Sequence, residues 1–460
     1  MYTTICSSIL FPLHERFKHH DSVRLRRELE LSQWWDPKRL AALQANRLRS
    51  FISKAARDVP YYKSLFRDAG VDPSTVRSLD DLRRVPFLTK ELIRRNTEGL
   101  KSATAGPLVR YNTGGSSGDP LVFFIGRDRI SHDVAAKWRA TRWWNVDIGD
   151  TEVVLWGSPI ELGRQDRIKA LRDRLLRTFL FPAFQMSEQQ MDRYLDRLVG
   201  LRPKMLFGYA SALTLLARHA EARGRQMDGL SPAVAFTTGE TLYPDQRSTI
   251  ERVFGTRVAN GYGARDAGFI AHECPGGALH LSAEHIVVEL IDEAGNAATP
   301  GMPGEVVVTH LATGEFPFVR YRTGDVATLA VEPCACGRGL PALQEVAGRS
   351  TDFIRTANGG AMHGLALIYE VRGKSGIREF KFVQSEDLSV DLLIVAGPEF
   401  NDSIEAEVRR GLTARLGEDT ALRINRVAAI AAEKSGKFRY VVSHAKGVAA
   451  APNSSARFVP

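Results

Sequence analysis

The segment Tyr111-Asn-Thr-Gly-Gly-Ser-Ser-Gly-Asp-Pro120 constrains this chain more than any other. Three glycines and three hydroxyl residues leave backbone N–H groups uncovered, and the apolar run Leu121-Val-Phe-Phe-Ile125 follows at once. β-Branched and aromatic residues after a proline read as a strand, so the loop is expected to lie between two strands. Uncovered amides beside hydroxyls suit a polyphosphate. The common phosphate motifs do not fit. A P-loop needs Gly-Lys-Ser/Thr at its end, whereas Asp119 and Pro120 follow Gly118. Gly373-Lys374-Ser375 has Ile368 where the leading glycine belongs, and no Gly-x-Gly-x-x-Gly lies in the loop. Gly114-Gly-Ser-Ser-Gly118 formally matches the nucleophile elbow of serine hydrolases, with Ser116 as nucleophile. That elbow turns from strand into helix, and the apolar run after Pro120 argues against it.

A chain of 460 residues exceeds one ordinary core, so two or three domains are expected. Its 44% hydrophobic and 25% charged content is that of a globular enzyme. No apolar run approaches the roughly 20 residues that span a bilayer. Thr4-Ile-Cys-Ser-Ser-Ile-Leu-Phe-Pro12 lacks a preceding basic region and is expected to be a docked N-terminus, not a signal peptide. Four cysteines do not make a disulfide scaffold, which points to the cytoplasm. The net charge of +9 suggests nucleic acid, but aromatic readers and a known binding module are missing. Arg164, Arg167, Lys169, Arg172, Arg174 and Arg177 surround Ile168, Leu171 and Leu175, which share one helical face. The favoured expectation is a surface helix with a solvated basic face, ahead of a phosphate-rich ligand or an anionic membrane surface.

The first hundred residues have helical spacing. Asp36-Pro37 is an N-cap followed by proline at the first helical position, and Pro60 is expected to end that helix. From Leu108 short strands alternate with helices, as in parallel α/β layers. Ser187-x-x-Gln190 opens a helix as a capping box. From about His280 to Leu329 strands and Gly/Pro turns predict a hairpin-rich subdomain. A compact α+β unit follows Gly348, and the residues beyond Lys446 look like a frayed tail.

Further motifs follow the loop: Thr237-Thr-Gly-Glu-Thr-Leu242, Asn260-Gly-Tyr-Gly-Ala-Arg-Asp266, Tyr321-Arg-Thr-Gly-Asp325, Gly348-Arg-Ser-Thr-Asp352 and Lys434-Ser-Gly-Lys437. In this order, with Val85-Pro-Phe-Leu-Thr-Lys90 upstream, they resemble the adenylate-forming acyl-ligase superfamily, in particular its phenylacetate–coenzyme A ligase and CapK-like branch. The resemblance runs over nearly the whole chain. It implies an α/β fold: a large N-terminal adenylate-forming domain of layered α/β sheets with a β-rich subdomain, plus a small mobile α+β C-terminal domain. The corresponding boundaries are a helical segment at 1–105, an ATP- and acyl-binding core at 106–347, a lid at 348–446 and a flexible tail at 447–460.

The resemblance also implies an activity: ATP-dependent formation of an acyl-AMP in the cytoplasm, followed by transfer to coenzyme A. Thr113, Gly114, Gly115, Ser116, Ser117 and Gly118 would wrap the ATP phosphates. Gly239, Glu240 and Thr241 would border adenine, and Tyr262 would stack on it, with Gly261 and Gly263 allowing close approach. Asp325 would accept the ribose hydroxyls and Arg349 would reach ribose or phosphate. Asp266 would ligate Mg²⁺, and Lys437 would bridge the carboxylate and the α-phosphate. Trp156-Gly157 and Phe207–Ala212 resemble acyl-pocket segments, which suggests an aromatic or apolar acid. The chain departs from the family pattern at Asp119, where lysine is usual, at Asp266, where glutamate is usual, and at Thr351 in the hinge. Two alternatives therefore stand beside the coenzyme A ligase: an amine or sugar acceptor in capsule polysaccharide synthesis, and a non-catalytic nucleotide-binding homologue. Finally, Cys274, His280, Cys334 and Cys336 could form a tetrahedral structural zinc site.

Overall fold

The structure is a computed structural model describing residues 1–113, 121–156, 167–183, 186–292, 294–349, 353–355, 361–372, 374–431 and 439–445. At 167–170, 349, 353, 361–363, 365, 366 and 369 it describes the backbone alone. No helix among the described residues is long and apolar enough to cross a membrane.

The strands in chain order are β1 (Val109–Asn112), β2 (Val122–Ile125), β3 (Glu152–Trp156), β4 (Thr178–Pro182), β5 (Met205–Gly208), β6 (Val234–Thr238), β7 (Val258–Ala264), β8 (Gly268–Glu273), β9 (Leu279–Leu281) and β10 (Ile286–Ile291). They continue with β11 (Pro303–His310), β12 (Tyr321–Leu329), β13 (Ala342–Arg349), β14 (Phe353–Arg355), β15 (Ala361–His363), β16 (Ile377–Gln384), β17 (Val390–Ala396), β18 (Leu422–Arg426) and β19 (Val441–Ser443). Eleven of them form one sheet in the order β10-β11-β12-β13-β9-β8-β7-β6-β5-β3-β4. The expected parallel α/β layering holds from β4 to β7, where every neighbour is parallel. From β7 to β10 every pairing is antiparallel, which accounts for the hairpin-rich stretch.

Burial explains the division. β5 and β6 are buried at every residue, as parallel strands covered on both faces must be. The helices Glu188–Leu201, Ala210–Ala222 and Pro244–Phe254 cover one face with Leu195, Leu198, Leu213, Leu216 and Ile250. The antiparallel half is covered by the N-terminal helices through Leu48, Phe51, Ile52 and Tyr62. The helix Pro37–Asp58 starts as expected, with Asp36 accepting from the Arg39 N–H at 3.0 Å. Its end lies at Asp58, and Pro60 opens the next helix, Pro60–Asp68, because proline suits a first turn.

The C-terminal unit is a four-stranded sheet, β18-β17-β16-β19, backed by the helix Asp402–Leu416 through Val408, Leu412 and Leu416. Its core includes Tyr243 from the large unit.

Candidate functional site

β1 and β2 pair antiparallel from Val109 opposite Ile125 to Asn112 opposite Val122. Thr113 closes the loop between them: its N–H donates to the Leu121 carbonyl, and its Oγ1 accepts from the Leu121 N–H, both at 3.0 Å. Strands on both sides rule out the strand-to-helix elbow, so the hydrolase reading of Ser116 falls. Gly114, Gly115, Ser116, Ser117 and Gly118 themselves lie outside the described residues. The Arg265 guanidinium donates to the Asn112 carbonyl at 3.2 Å, tying the β7–β8 turn to this hairpin.

That turn holds the centre of the site. Tyr262 Oη donates to Asp325 Oδ2 at 2.9 Å. Burial, then the Asp325 charge and its hydrogen bond, push the Tyr262 phenol well above its ordinary value, and Asp266 adds to the effect. Tyr262 therefore stays a donor between two carboxylates. Asp266 is buried, and one of its oxygens accepts from the Tyr321 phenol. The glycines beside Tyr262 have a packing cause as well. A Cβ at Gly263 would meet the Gly268 carbonyl at 2.4 Å, and one at Gly261 would meet the Phe236 ring at 2.9 Å. They permit close packing of the sheet behind the tyrosine.

Asp325 lies within β12 directly after Gly324, whose φ is +80°. A residue with a side chain adopts that conformation only at a cost, so the Thr-Gly-Asp order is locally required. The Asp325 N–H donates to Thr323 Oγ1 at 3.1 Å, and Thr323 Oγ1 donates to the Val306 carbonyl at 2.9 Å. Asp325 is the cross-strand partner of Arg349 in β13, which brings the two expected ribose residues to adjacent strands. The upstream motif braces the same strand. Leu88 exchanges backbone hydrogen bonds of 3.0 Å with Arg320 and Arg322, and Arg320 pairs with buried Glu289 at 2.9 Å.

β6 runs beside β7, with Thr238 opposite Gly261, and delivers Gly239, Glu240 and Thr241 to the same edge of the sheet. Gly239 has φ +80°, and a Cβ there would lie 3.2 Å from the Tyr209 ring. Tyr209 stacks on Trp156 with ring centroids 4.2 Å apart. The motif expected to border adenine thus abuts an aromatic wall built from both segments expected to line the acyl pocket. Glu240 Oε2 accepts from the Ser211 N–H at 2.9 Å, at the start of the helix Ala210–Ala222.

Lys437 lies outside the described residues. Tyr440, three residues later, packs edge-on against Tyr243 at 5.4 Å, two residues after Thr241. Arg372 lies over both rings, 3.8 Å from Tyr243 and 4.7 Å from Tyr440, and pairs with Asp245 at 2.9 Å. Sequence reasoning missed this contact: no motif marks Arg372, and the partners lie far apart in the chain.

The zinc-ligand candidates do come together. The ligand atoms of Cys274, His280, Cys334 and Cys336 all lie within 4.8 Å of one another. Cys274 Sγ and Cys334 Sγ are 3.7 Å apart, and His280 Nε2 is 3.2 Å from Cys336 Sγ. Tetrahedral Zn²⁺ with bonds of about 2.3 Å would set its sulfurs about 3.8 Å apart. His280 Nδ1 donates to the Leu340 carbonyl at 3.0 Å, which leaves the Nε2 lone pair facing the thiols. The donor set fits zinc.

Behind Gly268 lies a second cluster, with His132, His285 and His310 packed around one another; the His132 ring is 4.9 Å from each of the others. A Cβ at Gly268 would meet His310 Nε2 at 2.8 Å. His310 Nδ1 accepts from the Ala312 N–H at 3.3 Å, which puts the proton on Nε2 and removes the lone pair a metal would need. Burial holds all three rings below their ordinary values, so they pack as neutral groups. Arg129 pairs with Asp133 beside them and donates to the Arg265 carbonyl at 3.3 Å, bracing the site turn from behind.

Residues 354–444 match the CapK C-terminal domain. The chain is 22% identical over 438 residues to protein CapK of Staphylococcus aureus, covering 94% of both chains. It is 26% identical over 325 residues to phenylacetate-coenzyme A ligase of Thermus thermophilus, covering 69% of this chain and 72% of that enzyme. Its fold matches the crystal structure of 2-hydroxyisobutyryl-CoA ligase in the postadenylation state with 2-HIB-AMP, at TM-score 0.72 and 21% identity over 87% of this chain and 88% of that one. The chain is therefore a homologue of CapK and of the phenylacetate–coenzyme A ligases, with the fold of the adenylate-forming acyl–coenzyme A ligases.

Proposed function

We propose that this protein activates a carboxylic acid with ATP and passes the acyl group to coenzyme A. The substrate carboxylate oxygen attacks the α-phosphorus, the bond to the β-phosphate oxygen breaks, and pyrophosphate leaves. The thiol sulfur then attacks the acyl carbon, AMP leaves, and the thiol proton goes to solvent. The observation behind this reading is that β6 and β7 set Gly239–Thr241 beside Tyr262, which bonds to Asp325 at 2.9 Å, while Arg265 ties the turn carrying Asp266 to the Thr113 hairpin.

In this scheme Thr113, Gly114, Gly115, Ser116, Ser117 and Gly118 hold the β- and γ-phosphates. Asp325, with Arg349 opposite, holds the ribose, and Tyr262 presents its ring to the base. The Trp156–Tyr209 stack forms a flat apolar wall for the acyl group, which favours an aromatic or apolar acid. Asp266 is a hard oxygen donor one methylene shorter than glutamate, and it is fixed by Tyr321. It would hold Mg²⁺, which supplies charge neutralisation at the triphosphate. Lys437 would bring its ammonium between carboxylate and α-phosphate, where two anions must meet. Cys274, His280, Cys334 and Cys336 would hold a structural zinc that pins β8, β9 and the loop before β13. Unpaired thiols fit a reducing compartment such as the cytoplasm.

The test is to incubate the protein with ATP, Mg²⁺, coenzyme A and a panel of aromatic and aliphatic acids, and to identify products by mass. AMP and an acyl thioester support the reading. Acyl-AMP formed without thioester, but consumed by an added amine or amino sugar, assigns a different acceptor. ATP bound without AMP release makes the chain a non-catalytic homologue.

A further inference from the structure

The N-terminal helical segment presents an apolar face that nothing among the described residues covers. Residues 2–17 run as consecutive helical stretches, with a wider turn at Cys6–Leu10. Cys6 and Phe11 face inward: a Cβ at Gly149 would meet the Cys6 Cβ at 2.3 Å, and Phe11 packs edge-on against Trp138 at 5.2 Å. Glu15 is also buried, bonded to His14, His20 and Ser22. The segment is docked, as expected, but its outer stripe is not polar. Ile9, Leu13 and Phe17 are 52%, 59% and 87% exposed, with Tyr2 and Ile5 in line before them.

The basic helix Arg167–Leu175 continues this face. Tyr2 Oη donates to the Leu175 carbonyl at 2.7 Å, and Arg177 lies over the Tyr2 ring at 4.3 Å. Leu171 and Leu175 are exposed as well, so this surface helix leaves apolar side chains in water beside its basic ones. Of the seventeen exposed large apolar side chains among the described residues, eight belong to these two segments. A concentration of this kind marks an interaction surface.

Charge selects the partner. Arg16, Lys18, Arg174 and Arg177 are exposed on the two segments, and Lys18 and Arg172 lie close enough to His14 to depress its ionisation together with burial. The single acid among residues 1–20 is Glu15, which is buried. A second copy docking through the same patch would set these cations against themselves with no exposed carboxylate on the helix to meet them. An apolar stripe flanked by Lys and Arg, with aromatic residues at its ends, matches an interfacial helix on an anionic lipid surface. We propose that residues 2–17, with the C-terminal turn of the helix Arg167–Leu175, lay this protein on an anionic membrane surface without spanning it.

The test is sedimentation of the full chain with vesicles of phosphatidylcholine alone or of equal parts phosphatidylcholine and phosphatidylglycerol. The wild type should sediment with the anionic vesicles and be released by salt. Ile9→Glu/Leu13→Glu and Arg16→Glu/Lys18→Glu should each lose roughly tenfold or more in vesicle affinity while keeping the wild-type melting temperature. The proposal is overturned if the wild type ignores anionic vesicles, or if both variants bind as it does. It is also overturned if the wild type is a dimer that Ile9→Glu/Leu13→Glu dissociates with no vesicle binding, because a second copy would then own this face.

Discussion

Tyr262 donates its phenol proton to Asp325 across 2.9 Å, joining two motifs that lie on separate strands, β7 and β12. The bond orients the ring against the carboxylate proposed to hold the ribose. Tyr262→Phe keeps the ring and loses the bond, worth about 1 kcal/mol. Its KM for ATP should rise about fivefold with kcat little changed. Asp325→Ala removes the acceptor of the ribose hydroxyls as well. It should raise KM for ATP by roughly a hundredfold, as for loss of charged hydrogen bonds. Steady-state kinetics with ATP varied would check both, and an unchanged KM in Asp325→Ala would remove ribose binding from this residue.

Arg372 ties the C-terminal unit to the motif that follows β6, through Tyr243, Tyr440 and Asp245. If this contact holds the lid in its adenylating position, Arg372→Ala should slow acyl-AMP formation about tenfold, from a cation–π contact and an ion pair lost together. Thioester formation from synthetic acyl-AMP should fall far less. Equal losses in the two half-reactions would mean a merely structural contact.

The four-residue cluster at Cys274, His280, Cys334 and Cys336 should retain about one zinc per chain through purification without chelator. Elemental analysis checks this directly. Cys334→Ser/Cys336→Ser should abolish the zinc and lower the melting temperature by several degrees, because β8, β9 and β13 lose their common anchor. A protein that never holds zinc would show these side chains to be ordinary packing.

Acid should destabilise the fold. Burial is the main cause holding His132, His285 and His310 below their ordinary values, so the folded state resists protonation while the unfolded state accepts it. Stability is then fully present above about pH 6.5 and is lost as pH falls below it. Each ring should add to the loss as pH falls from 7 to 5.5. Urea titrations across this range check the slope, and His310→Asn should flatten it.

The parts of the candidate site that the structure brings together were legible where a local order of residues is required. Thr-Gly-Asp at 323–325 places a left-handed glycine before a carboxylate, and the cysteine pair at 334 and 336 has no ordinary structural reason to sit beside His280. Side-chain contacts between distant segments left no such trace, and Arg372 between Tyr243 and Tyr440 is the main example. Periodicity placed Leu171 and Leu175 on one face correctly, but it reports which residues share a face and not what covers that face. The glycines around Tyr262 were legible as necessary while their packing reason was not, since the crowding comes from Phe236 and Gly268.

The proposed function requires adenylation at the Tyr262–Asp325 site, with Lys437 supplying the cation. The most direct measurement is acid-dependent exchange of labelled pyrophosphate into ATP by the wild type, Asp325→Ala and Lys437→Ala, each checked for a wild-type melting temperature. The wild type should exchange label only when a suitable carboxylic acid is present, and at ATP well below its KM both variants should lose that exchange by about a hundredfold or more, Lys437→Ala through developing charge and Asp325→Ala through ATP binding. Undiminished exchange in Lys437→Ala and Asp325→Ala, or no exchange by the wild type with any acid, would contradict it.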